Sequence, residues 1–336
     1  MTKPNQATAP LLEVDALSVD YGLKGVPLRA IEDVSFTLCA GEAVGLVGES
    51  GSGKTTTALS IAGLLPPNAG VSSGEVRYRG KRLPISDDAA MRSHRWSEIS
   101  FVFQGAMNAL NPVHRVVKQI AEPCMLKRGM ARDEAAARAR ELLELVGIPA
   151  DRGSAFPHEL SGGMRQRVMI AMALACCPSI IIGDEPTTAL DVITQAQILK
   201  LLGKLRSQLN LAIILITHDL SVVAESCDRA MIMYAGRIVE DGLVADVFAE
   251  PKHPYTKLLI ESIPNPAKGK HILRPIPGDP PTLVNRPSGC SFRSRCPSAI
   301  QVCATEDPRL DLAGRGRVAC HLHRSLTQER TVAADA

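Results

Sequence analysis

The stretch Gly48-Glu-Ser-Gly-Ser-Gly-Lys54-Thr55 constrains this chain more than any other. It matches G-x-x-x-x-G-K-[ST], a loop whose backbone N–H groups wrap phosphate oxygens. Gly48, Gly51 and Gly53 let the backbone approach closely, with Ser50 between them. Lys54 is placed to reach β and γ phosphates, and the Thr55 hydroxyl to reach Mg²⁺, with Thr56 next on the helix. The apolar run Ala43–Val47 reads as a strand leading into the loop. Thr55–Leu65 has helical periodicity and stops at Pro66-Pro67. Strand, loop and helix in that order put an anion at a helix N-terminus.

The rest of the chain continues the alternation. Leu11–Thr37 reads as strands with a turn at Tyr21–Gly25, Glu75–Leu83 as strand and turn, and Ile99–Phe103 as a strand. Asp133–Val146 and Gly162–Cys177 read as helices, closed by Gly147 and Pro178. Thr194–Gln208 reads as a helix between two buried strands, Ser179–Ile182 and Leu211–Ile216, and Ala230–Val239 completes the compact part. Such alternation predicts an α/β fold with a mostly parallel sheet. Ile180-Ile-Ile-Gly-Asp184-Glu185 is a buried strand ending in two acids, where ligands of such sheets sit. There Asp184 suits Mg²⁺ and Glu185 suits an attacking water.

Composition narrows the function. With 38 basic and 35 acidic residues the net charge is +3, without the basic excess of a nucleic-acid binder. Aromatics are 3%, too few for base-stacking platforms. No apolar run approaches the roughly 18 residues of a membrane helix, and no secretory signal is visible, so a soluble cytoplasmic protein is expected. Prolines crowd the stretch from Pro251 to Pro287, which is expected to be extended and semi-rigid. The boundary therefore falls near residue 250: 11–250 as the nucleotide-binding domain, 251–325 as an extension, 1–10 and 326–336 as flexible tails. Of nine cysteines, Cys39, Cys124, Cys176, Cys177 and Cys227 read as buried small hydrophobes.

Leu160-Ser161-Gly162-Gly163-Met164-Arg165-Gln166-Arg167 is a second glycine-rich helix start. Its place between the phosphate loop and the acidic strand resembles the signature motif of the ABC ATPases. Gln104 resembles their Q-loop glutamine, Ala189-Leu190-Asp191 the D-loop, His218 the switch histidine, and Tyr21 the aromatic that stacks on adenine. The resemblance implies a P-loop ABC-type domain: a mostly parallel core sheet, an antiparallel β subdomain and a helical subdomain. It also implies head-to-tail pairing, with ATP between Gly48–Thr56 of one subunit and Ser161–Gln166 of the other. Glu185, Gln104 and His218 would act on the γ phosphate, and Thr55, Gln104 and Asp184 on Mg²⁺. One departure is Gly183, where a larger residue is commoner.

Phe103-Gln-Gly-Ala-Met-Asn-Ala-Leu-Asn-Pro112, Pro157-His-Glu-Leu-Ser, Pro186-Thr-Thr-Ala-Leu-Asp191, His253-Pro-Tyr-Thr-Lys-Leu-Leu and Ile276-Pro-Gly-Asp-Pro-Pro resemble the dipeptide/oligopeptide (peptide/nickel) importer ATPases. Of the two ATPases of such importers, the chain looks most like the first. This implies an ATPase at the cytoplasmic face of the inner membrane, peripheral to it. Its partners would be a second related ATPase, forming a heterodimer with it, two membrane permeases, and a periplasmic or lipid-anchored substrate-binding protein. A soluble ABC ATPase of nucleic-acid repair or translation is the competing reading. It lacks support from any second ATPase domain, coiled-coil insertion or basic arm. The late pattern Cys290-x₅-Cys296-x₆-Cys303-x₁₆-Cys320 suggests a metal centre in a segment with little apolar material. Its spacing fits neither common zinc nor ferredoxin patterns. The family resemblance implies a [4Fe–4S] cluster on all four, while His321 and His323 keep zinc open.

Overall fold

A computed structural model describes residues 9–23, 26–105, 109–188, 190–262, 276–282 and 286–323. Part of the Tyr21–Gly25 turn, residues 106–108 of the stretch after Gln104, Ala189, Pro264, Pro266, Pro275 and most of both tails lie outside them.

Two long strands, Leu12–Leu23 (β1) and Val26–Leu38 (β2), pair antiparallel from Leu12 opposite Leu38 to Leu23 opposite Val26. Ala43–Val47 (β3) then runs into the phosphate loop and Lys54–Ile61 (α1). Ala69–Tyr78 (β4) and Lys81–Arg82 (β5) join the first two strands in a sheet of order β2-β1-β4-β5. Asp88–Met91 (α2) and Ile99–Val102 (β6) follow. The helical part is Val116–Arg128 (α3), Arg132–Leu145 (α4) and Gly162–Ala173 (α5). Next come Ile180–Asp184 (β7), Val192–Leu209 (α6), Ala212–Thr217 (β8), Leu220–Ser226 (α7), Arg229–Tyr234 (β9) and Arg237–Leu243 (β10). Val244–Ala249 (α8), Pro254–Glu261 (α9), Asp311–Ala313 (β11) and Gly316–Val318 (β12) complete the described elements.

The large sheet has the order β11-β12-β10-β9-β3-β8-β7-β6. Its β9-β3-β8-β7-β6 part is parallel. β3, β7 and β8 are buried along their whole length, which is why each reads as an unbroken apolar run. Being parallel, they deliver their C-terminal ends to one edge, and with them the phosphate loop, Asp184-Glu185 and His218. The expected mostly parallel core and antiparallel β layer are both present.

α4 buries Ala135, Ala139, Leu142 and Leu143, an i, i+4, i+7, i+8 face, and stops before Gly147 at φ +76°. These side chains pack with Val116, Ile120 and Cys124 of α3 and Val168 and Ala171 of α5 in one core. α3 has no counterpart in the sequence reading. Pro123 lies inside it and breaks the pattern that would announce a helix.

The Pro-rich stretch departs from expectation at its start, where α9 is helical rather than extended. Pro254 occupies the first helical turn, where its missing N–H costs nothing, and His253 caps the helix by accepting the Tyr255 N–H. Beyond it, β12 pairs with β10 at Glu240 opposite Val318 and Asp241 opposite Arg317, so the extension adds two strands to the main sheet. Phe292 is buried against Tyr234, Tyr255 and His253, with ring centroids 5.2, 5.4 and 5.7 Å away. The scattered cysteines also depart in part. Cys124 and Cys176 are buried, but Cys39 and Cys227 are half-buried, and Cys177, just past α5 at φ +58°, is exposed.

Candidate functional site

A cleft of about 730 Å³ opens where β3, β7 and β8 end. Its floor is the phosphate loop. Gly51 and Gly53 stand at φ +77° and +103°, a left-handed backbone that favours glycine. A Cβ on Gly53 would meet Ile31 at 2.7 Å. No side chain caps α1, so its first N–H groups are left to face an anion.

Lys54 is buried and curls back, donating from Nζ to the Gly48 carbonyl at 2.7 Å and the Glu49 carbonyl at 2.8 Å. Burial lowers its pKa, against the carboxylates of Glu185, Asp184 and Glu49, which favour the cation. Asp184 is buried at the end of β7. Burial raises its pKa and the Glu185 charge adds to this, opposed by the Thr55 hydroxyl and by Lys54. Thr55 and Asp184 thus stand together, one hydroxyl and one carboxylate. That suits Mg²⁺, which takes one or two protein ligands and fills its octahedron with phosphate oxygens and water.

Glu185 is the hub. Its Oε2 accepts from Gln104 Nε2 at 2.9 Å and Thr188 Oγ1 at 2.9 Å, and its Oε1 lies 2.8 Å from His218 Nδ1. Burial would raise its pKa, but hydrogen bonds from His218 and Thr188, with the charges of His218 and Lys54, outweigh this and hold it below the usual range. It is therefore a carboxylate at neutral pH, ready to accept a proton. Its backbone sits at φ +45°, uncommon for a residue with a side chain.

The cleft's other wall is Tyr21, Leu28, Ala30 and Asn68. The Tyr21 hydroxyl lies 3.4 Å from Thr56 Oγ1. Leu28, Ala30 and Asn68 escaped the sequence reading. The signal available for Leu28 was its register, directly opposite Tyr21 across the β1–β2 pair.

The structure gathers Tyr21, Ser50, Gly51, Gly53, Lys54, Thr55, Thr56, Gln104, Asp184, Glu185 and His218 around one cleft. Gly48 meets it through its carbonyl on Lys54. Ser161, Gly162, Gly163, Gln166 and Asp191 do not line it. Ser161 caps α5, accepting the Met164 N–H, and Asp191 caps α6, accepting the Thr194 N–H. Gln166 points inward and is buried, with Nε2 unbonded.

The four late cysteines all line one small pocket with His253, Phe292 and His321. Burial pushes the Cys290 thiol up to about 11, and raises Cys296 and Cys320. Among the described residues, no three or more His, Cys, Asp or Glu are placed to hold a single metal ion.

A phosphate loop, an acidic strand end and a glutamine–histidine pair on one carboxylate define a P-loop nucleotide-hydrolysing domain. Comparison with known proteins sharpens this. Residues 31–188 match the family described as "ABC transporter", and 239–303 match "Oligopeptide/dipeptide transporter, C-terminal region". The dipeptide transport ATP-binding protein DppD of Haemophilus influenzae is 44% identical over 313 residues, 93% of this chain and 95% of that one. The oligopeptide transport ATP-binding protein OppD of Salmonella typhimurium is 45% identical over 320 residues, 94% and 95% of the two chains. A bacterial ABC transporter cassette solved as a dimer superposes with a TM-score of 0.62 at 31% identity, over 69% of this chain and 98% of that one. The chain belongs to the ABC transporter ATP-binding proteins, in the dipeptide/oligopeptide branch of that family, whose members are ATP hydrolases coupled to transport. Among the described residues no helix is long and apolar enough to cross a membrane.

Proposed function

We propose that this chain hydrolyses ATP to power import of dipeptides or oligopeptides across the cytoplasmic membrane, docked on its inner face. The observation that carries the chemistry is Glu185, held by Gln104, Thr188 and His218 beside Lys54 and Asp184. Lys54 and the loop N–H groups bind the phosphates, and Thr55, Asp184 and Gln104 would hold Mg²⁺, which would supply positive charge against the phosphate oxygens. Glu185 takes the proton of the attacking water as its oxygen bonds to the γ phosphorus and the bond to ADP breaks. Gln104 and His218 orient that water and sense the γ phosphate, and Tyr21 stacks on adenine.

Ser161, Gly162, Gly163, Gln166 and Asp191 serve the nucleotide of a partner. Ser161 to Gly163 lie at the start of α5, outside this chain's own cleft, as a head-to-tail pair requires. The partner is a second related ATPase, and the pair acts beneath two permeases fed by a substrate-binding protein. Residues 11–250 form the ATPase domain and 251–325 its extension.

Cys290, Cys296, Cys303 and Cys320 hold a [4Fe–4S] cluster. Four thiols around one pocket support this. A brown anaerobic preparation bleached by dithionite is expected, and a colourless one with bound zinc would reject iron.

The function is tested by co-purification and transport. The chain should be recovered with a permease pair and drive ATP-dependent peptide uptake into proteoliposomes. Recovery with ribosomes or DNA and without a permease would overturn the reading.

A further inference from the structure

Glu49 is an acid inside the phosphate loop, close to where a polyanion binds. Left alone it would repel that ligand. The structure does not leave it alone. Arg295, from the cysteine-bearing extension, places Nη1 2.7 Å from one Glu49 oxygen and Nη2 2.9 Å from the other. The Arg295 side chain is 3% exposed. Its Nε donates to the Pro277 carbonyl at 2.9 Å, and its guanidinium lies over the Tyr234 ring, 5.8 Å from the centroid. Every part of the fork is therefore fixed. Tyr255, from α9, accepts the Glu49 N–H at 3.0 Å. The Glu49 carbonyl in turn receives Lys54 Nζ. A continuous path runs from the extension, through Glu49, to the phosphate-binding lysine.

We propose that Arg295 is a positioning residue of the ATP site: it cancels the Glu49 charge and, with Tyr255, holds the outer turn of the phosphate loop in its binding shape. The extension is thus part of the nucleotide site. This rests on the reading that the loop binds ATP. A bidentate, buried fork suits this task better than a lysine would, because two fixed bonds define the plane of the carboxylate.

The test is a titration of the full chain with a fluorescent ATP analogue and Mg²⁺. Arg295→Ala leaves Glu49 charged and unpaired. The Kd is expected to rise about tenfold, the size of a unit-charge repulsion acting across roughly 12 Å at an effective dielectric of about 20. Adding Glu49→Gln to that variant removes the repulsion and should restore most of the affinity. A purely architectural role for the pair predicts no such rescue, so a double variant as weak as Arg295→Ala would overturn the proposal. Unchanged affinity in Arg295→Ala would overturn it too. Should Arg295→Ala fail to fold, Tyr255→Phe removes one hydroxyl only. It should raise the Kd several-fold, and an unchanged Kd rejects the clamp. If the unaltered chain bound no nucleotide, the ATP reading itself would fall. If the unaltered chain binds and the variants match it, only this inference falls.

Discussion

At the residue scale, Glu185 concentrates the chemistry. Three side chains point at one carboxylate, and the backbone accepts φ +45° to present it. Glu185→Gln keeps the shape but removes the base, and puts an NH₂ donor where one of the two accepting oxygens stood. Turnover is expected to fall by roughly 10²–10⁴ while ATP still binds, as single-turnover and binding measurements together would show. Near-normal turnover would remove Glu185 from the role. Cysteine chemistry gives a second test. Burial pushes the Cys176 thiol up to about 11 and Cys227 to about 12, whereas exposed Cys177 has arginines 128 and 138 each 3.6 Å from its sulfur. A maleimide should therefore label Cys177 before Cys124, Cys176 and Cys227, read by mass spectrometry of the native chain. Lys54, Thr55 and Asp184 were legible in the sequence because each sits in a contiguous motif. Gln104 and His218 are single residues after strands, and only the order of motifs gave them meaning. The pairing of Glu49 with Arg295 was not legible at all. The two lie 246 positions apart, and nothing local to either announces the other.

At the scale of elements, glycine marks places where backbones meet. Gly74 in β4 stands at φ +84°, where β1 bulges around Ala16, and a Cβ there would come within 2.4 Å of the Ala16 carbonyl oxygen. Gly74→Ala should lower stability by more than about 1 kcal/mol, through both the conformation and the clash. Thermal unfolding would show it, and an unchanged Tm would mean that the bulge relaxes freely. Gly183 has a different reason. A Cβ would sit 3.2 Å from Pro186, so the turn that carries Glu185 packs tightly on β7 where a larger residue is commoner in the family. The strands β3, β7 and β8 were readable because complete burial makes them uniformly apolar. α3 was not, since Pro123 interrupts it and only the packing of α4 and α5 decides its shape. Helix ends also moved. α5 stops at Ala173 rather than near Cys177, because the chain turns through Cys177 in a left-handed conformation before Pro178.

At the scale of the whole molecule, the division near residue 250 is one of sequence more than of packing. Composition changes there, yet β12 completes the sheet beside β10, Phe292 fills an aromatic core with Tyr234 and Tyr255, and Arg286 reaches Glu32 at 2.6 Å. A chain ending at Glu250 would bare the β10 edge and the Tyr234 ring. It is expected to self-associate with rising concentration, which light scattering would detect. A stable monomer of that length would show the extension to be dispensable. The same pairing sets a timetable for synthesis. Strand β12 leaves the ribosome about seventy residues after β10, a delay of roughly 4–15 s at 5–20 residues per second. For that interval the nascent chain carries a formed nucleotide loop beside an open sheet edge. Arg295 follows β10 by about fifty residues, so for most of that interval the loop's acid is without its arginine, and the newborn ATPase should hold nucleotide poorly until that part of the extension has emerged.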